Sequence, residues 1–129
     1  MLPKSVLVID DDREICLSLG ALLSSWGIKV TIAEDGIGAL HKLQKQPVEL
    51  LLIDYRLPGG NGVDLYQRLQ SNTNFIRLPV IFMSGFPQSE IDPNCGLMNR
   101  VGFLSKPIDP KQLREAIEAL FPDNPPQAA

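Results

Sequence analysis

Three consecutive acids, Asp10, Asp11 and Asp12, follow an apolar run in "VLVIDDD", and another acid, Asp54, closes a second run in "LLLID". If the two runs lie side by side, three carboxylates share one small pocket. Two unit charges roughly 4 Å apart repel by about 4 kcal/mol at an effective dielectric of about 20. Such a cluster is tolerable when protonated or when a cation sits among its oxygens. An all-oxygen site with few protein ligands suits Mg²⁺, with Mn²⁺ able to take its place. Asp12 immediately precedes a helical pattern and reads as its N-cap; solvation at the strand end is the plain alternative for Asp10 and Asp11. Lys106, in "FLSKP", could neutralise Asp54 in a structural ion pair. With the hydroxyl of Ser84 it could also surround a phosphoryl group carried on Asp54. Carboxylates act as nucleophiles, and cations balance the charge on transferred oxygens. No histidine base is required, and the single histidine, His41, reads as a surface residue.

The elements that must position these groups follow from the apolar pattern. Short runs at residues 5–10, 29–33, 49–54, 79–84 and 101–105 read as strands. The first, third and fourth are almost continuously apolar, as in strands buried on both faces of a parallel sheet. Between them the period becomes helical. Ile15, Leu19, Leu22, Leu23 and Trp26 make one stripe, and Gly27 stands where a left-handed cap is expected. A second helix is expected over 36–46, with Ile37, Leu40 and Leu43 inward and Pro47 ending it. A third spans about 63–71 and carries Leu65, Tyr66 and Leu69. The last opens with Asp109 as cap, Pro110 at its first position and Gln112 completing a capping box. Leu113, Ile117, Leu120 and Phe121 form its buried stripe. Residues 85–100 should supply one more crossover helix, but Pro87, Pro93 and Gly96 interrupt it. A mid-helix proline costs ~3 kcal/mol, so a short or broken helix is expected there. Alternating strand and helix imply an α/β fold, doubly wound, with a parallel sheet and right-handed crossovers. Function then collects at the carboxyl ends of the strands, where Asp10, Asp11, Asp54 and Ser84 stand, with Lys106 just beyond.

Composition narrows the class. The 129 residues form one domain, read as 1–121, with the proline-rich stretch 122–129 a disordered tail or the start of a linker. A net charge of -3 argues against nucleic-acid binding by bulk electrostatics. No apolar run reaches the roughly 18 residues that a membrane span needs. The first ten residues lack a secretory pattern, and Cys16 and Cys95 form no metal-binding spacing. Free thiols in the cytoplasm are expected.

The chain resembles the receiver domains of two-component response regulators, through "VLVIDDD", "LLLIDYRLPGGNG", "PVIFMSG" and "FLSKP", in that order. The resemblance implies a flavodoxin-like, five-stranded sheet of order 2-1-3-4-5 with five flanking helices, the fourth short or broken. It also implies that Asp54 is phosphorylated, and that Asp10, Asp11, Asp54 and the backbone carbonyl of Arg56 hold Mg²⁺. Ser84 and Lys106 would contact the phosphoryl group. Phe103 would be the switch aromatic, rotating inward when Ser84 moves; a plain core aromatic is the alternative. Pro58 and Gly62 would shape the loop after Asp54, glycine permitting a positive φ. Arg56 and Phe86 would set the lifetime of the phosphoryl group. The implied partners are a sensor histidine kinase or His phosphotransfer protein, and a downstream target or fused output domain. Rival readings are a binding-only pseudo-receiver, an aspartyl-phosphate phosphatase and a flavin carrier. All the family's acids and the lysine are present. The second position after Asp54 is Arg56, not a general acid, and "DDD" replaces a phosphate-binding loop.

Overall fold

The computed structural model describes residues 1–57, 60–75, 77–85 and 101–122. Five strands form one parallel sheet: β1 (Ser5–Ile9), β2 (Lys29–Ala33), β3 (Leu50–Asp54), β4 (Val80–Ser84) and β5 (Val101–Ser105). Their order is β2-β1-β3-β4-β5, so β1 lies directly beside β3. The three inner strands are the continuously apolar ones. Residues 6–9, 50–53 and 80–83 are buried, whereas most of β2 and β5, at the sheet edges, is partly exposed. A two-residue ladder, Arg56–Leu57 against Gly60–Asn61, follows β3.

Four helices are described: α1 (Arg13–Ser25), α2 (Gly36–Lys45), α3 (Gly62–Gln70) and α4 (Pro110–Leu120). Strand side chains alternate between the two faces. Leu7, Ile9, Leu51, Ile53, Val80 and Phe82 pack under α2 and α3, while their neighbours in sequence pack under α1 and α4. Residues 86–100, where a broken helix was expected, and 123–129, the expected tail, lie outside the described residues, as do Cys95 and Pro58.

Local chemistry sets the helix boundaries. The Asp12 carboxylate accepts from the N–H groups of Glu14 and Ile15, and Asp109 accepts from Gln112 with Pro110 first in the helix. Such a cap contributes about 1 kcal/mol. After α1 the chain turns at Gly27, whose φ of 82° only glycine adopts without cost. One expectation fails in α2. Ile37 is 79% exposed, and Ala39 and Leu43 are the buried residues. Asp35 caps the helix through Gly38 N–H, which fixes its start and phase. At about 100° per residue, Ile37 falls on the side opposite Ala39.

Candidate functional site

The sheet order brings the acids together. β1 pairs with β3 through Ile9↔Ile53, so the residues that follow, Asp10 and Asp54, emerge side by side. Each of Asp10, Asp11 and Asp54 offers a carboxylate oxygen, all within 4.8 Å of one another. Asp10 and Asp54 are buried, at 1% and 8% exposure, and Asp11 is open to solvent.

Asp10 is held from several directions. Its N–H donates to the Ala33 carbonyl at 3.1 Å. Its own carbonyl accepts from the buried Cys16 thiol at 3.2 Å, and its Oδ1 accepts from Asp12 N–H at 2.9 Å. Burial, with help from the neighbouring acids, pushes the Cys16 thiol up to about 11, so it stays a protonated donor. Asp54 Oδ1 accepts from Arg56 N–H at 3.2 Å.

Lys106 follows β5, and its peptide bond to Pro107 is cis. Its Nζ lies 2.8 Å from Asp10 Oδ2 and 3.4 Å from Asp54 Oδ1. Burial alone would lower this ammonium, but its contacts with Asp10 and then Asp54 outweigh that and hold it above its ordinary value. Asp54 moves upward despite the same lysine. Its burial and the Asp10 charge exceed what Lys106 and the Arg56 N–H give back.

Three carboxylates against one ammonium leave two negative charges in the pocket. That balance, with hard oxygen donors and one open acid, fits a divalent cation such as Mg²⁺. Asp10, Asp11 and Asp54 could hold it, and it would supply charge neutralisation at transferred oxygens.

Ser84 is buried at the end of β4, one residue past Met83, the register partner of Asp54. Its carbonyl accepts from Lys106 N–H at 2.8 Å. Ser84 and Lys106 therefore reach the same edge as the acids. Phe103 is half-buried on β5 and stacks on Phe82 with ring centroids 5.7 Å apart. The Arg56 side chain is exposed and its backbone pairs with Asn61. Phe86 lies outside the described residues. Beside Lys106 an open groove of about 690 Å³ runs along α1, lined by Ile15, Leu19, Leu22, Pro107 and Ile108 among others.

Two features differ from the expectation or were not foreseen. Gly62 has no positive φ; it is required because the chain passes too close to itself. A Cβ there would lie 2.6 Å from the Asp54 carbonyl oxygen and 2.7 Å from Ile53 Cγ2. Phe82, unremarked in an apolar run, is a fully buried ring beside this loop. Its one signal in the sequence is its spacing of two from Ser84, which puts both on the same face.

The model of the response regulator receiver domain family matches residues 6–118. Among curated proteins the chain is 31% identical over 116 residues to protein RcaC of Microchaete diplosiphon, covering 90% of this chain and 18% of that protein. It is 30% identical over 118 residues to the sensory transduction protein RegX3 of Mycolicibacterium smegmatis, covering 91% of this chain and 50% of that protein. The chain thus spans half or less of these relatives. Among solved structures, a CheY-like response regulator receiver domain protein from Methanospirillum hungatei superposes with a TM-score of 0.79 at 27% identity. That match covers 92% of this chain and 94% of the other.

Proposed function

Because the chain belongs to the response regulator receiver domain family, we propose that it accepts a phosphoryl group on Asp54 and converts this into a signal to a downstream target. The observation that carries the proposal is the convergence of three carboxylate oxygens within 4.8 Å, partly neutralised by one lysine. The donor is a phosphohistidine on a sensor histidine kinase or His phosphotransfer protein, approaching along the groove between α1 and Ile108. The Asp54 carboxylate attacks phosphorus and needs no base, because it has no proton to lose. An O–P bond forms, the P–N bond breaks, and the leaving imidazole nitrogen takes up a proton. Asp10, Asp11, Asp54 and the Arg56 carbonyl would hold Mg²⁺, or Mn²⁺ in its place, and the bound ion would supply charge neutralisation at the transferred oxygens. Lys106 and Ser84 bind the phosphoryl oxygens.

On this reading residues 1–121 form the receiver and 122–129 a tail or the start of a linker. The domain signals through conformation, and its only catalysis is its own phosphorylation and dephosphorylation. Phe103 is the switch aromatic, and Arg56 and Phe86 set how long the phosphoryl group lasts. Its place is the cytoplasm; among the described residues no helix is long and apolar enough to cross a membrane. Its target is a separate protein or a fused output domain, and the domain itself does not bind nucleic acid.

The test is intact mass after incubation with Mg²⁺ and a small phosphodonor. Wild type should gain one phosphoryl group, while Asp54→Ala, or wild type with the metal chelated, should gain none. An unmodified wild type would leave a binding-only module in its place.

A further inference from the structure

Phe82 is the largest side chain among the fully buried residues described. On β4 it shares a face with Ser84 and sits directly opposite Phe103 of β5 in the strand register. The two rings lie nearly parallel, at 25° and 5.7 Å. Two further rings meet Phe82 edge-on: Tyr55, immediately after Asp54, at 6.3 Å and 80°, and Tyr66 of α3 at 5.9 Å and 76°. From the side of the site, Gly62 closes over it. A Cβ at Gly62 would lie 3.2 Å from Phe82 Cε1 as well as against the Asp54 carbonyl.

One ring therefore touches both ends of the loop that leaves Asp54 and also the aromatic on β5. A close-packed interior has no spare volume for a ring to move alone. Phe103, half-buried at the sheet edge, has solvent on one side. Of the stacked pair, Phe103 is the ring that can turn, and Phe82 defines the position it leaves.

We propose that Phe82 is a positioning residue that fixes the resting rotamer of Phe103 and couples it to the loop after Asp54. The proposal rests on the reading of Asp54 as phosphoryl acceptor and Phe103 as switch. A shift of Tyr55 or Gly62 reaches β5 through this ring. The stacked contact is given up when Phe103 rotates, which weights the equilibrium between two packings of the same core.

The experiment is a double-mutant cycle in the full chain, with Phe82→Leu, Phe103→Leu and the double variant. Two quantities are measured: affinity for beryllofluoride with Mg²⁺, and the χ1 population of Phe103 by NMR without any phosphoryl mimic. Phe103→Leu should change beryllofluoride affinity about fivefold in the wild-type background, at the low end of coupling between linked sites. In the Phe82→Leu background the same change should fall below about twofold. Phe82→Leu should also redistribute the Phe103 rotamer. A purely structural Phe82 would lower thermal stability, leave the two affinity ratios equal and leave the rotamer unchanged; that result overturns the proposal. Should Phe82→Leu not fold, Phe82→Met replaces it in the same cycle. Failure of wild type to bind beryllofluoride would instead count against the phosphoryl reading. The rotamer measurement would then decide the positioning role by itself.

Discussion

On the side of α1 and α4, every buried residue among those described is aliphatic or carries sulfur, from Val6 and Leu23 to Cys16 and Met83. On the side of α2 and α3, Phe82 and Tyr66 sit within the cluster itself; the margins of both layers carry rings, Tyr55, Phe75 and Phe103 here and Trp26 and Phe121 there, so the contrast lies in the packed interior. Both layers cover the same strands, so burial alone does not explain the difference. Branched aliphatic chains fill space with little orientational demand. Rings pack in a few discrete orientations, edge-on or offset. A layer that must take up two arrangements is better made of rings; a layer that must only hold is better made of leucine and valine. The aromatic layer is also the one entered by the loop from Asp54.

The largest effect tests the holding layer. Leu23→Ala, at a fully buried position of α1, should cost about 2–5 kcal/mol in denaturant unfolding. The protein that remains folded should bind Mg²⁺ within about twofold of wild type, since additivity holds between distant sites. A large loss of metal affinity would erase the distinction between the layers.

Gly62→Ala should come next and should behave differently. The added methyl must displace the Asp54 backbone, Ile53 or both. Overpacking of this kind costs about 1–3 kcal/mol. Here the loss should be accompanied by weaker Mg²⁺ binding in calorimetry, because the displaced carbonyl belongs to a proposed ligand. Unchanged metal affinity would show that the loop yields without moving the site.

The smallest change, Asp54→Asn, alters charge with almost no change in volume. Burial, then Asp10, raises the Asp54 carboxyl above its ordinary value despite Lys106. A group raised on folding contributes stability below the ordinary carboxylate range and loses it as pH rises through the raised value. The asparagine variant should therefore unfold at a higher denaturant concentration than wild type at neutral pH. The gap should close as acid protonates Asp54. A gap that persisted unchanged into acid would mean that charge is not its origin.

Much of this architecture is written plainly in the chain. Residues 50–53 and 80–83 are apolar without interruption because inner strands meet a helix layer on both faces, and the caps at Asp12 and Asp109 declare themselves through local hydrogen bonding. Ile37 misled because spacings of three fit 37, 40 and 43. The true phase is set by the Asp35 cap, which buries Ala39 and Leu43. Gly62 showed that a glycine was needed but not why; its reason is a close approach between segments, which no local pattern encodes. The meeting of Asp10 with Asp54 required β1 beside β3, and that order came from resemblance to a family. Phe82 was hidden by its setting, since within an unbroken apolar run nothing distinguishes a ring that couples from one that fills.

Lys106 is fastened at both ends: its main chain to the end of β4 through the Ser84 carbonyl, and its ammonium to Asp10 beyond the end of β1, with a longer contact of 3.4 Å to Asp54 between them. In sheet order β3 lies between those two strands. The lysine is thus a tie-rod thrown across the strand that carries Asp54. Because the ammonium also touches Asp54 Oδ1, a displacement of that aspartate alters one of the contacts that hold the brace.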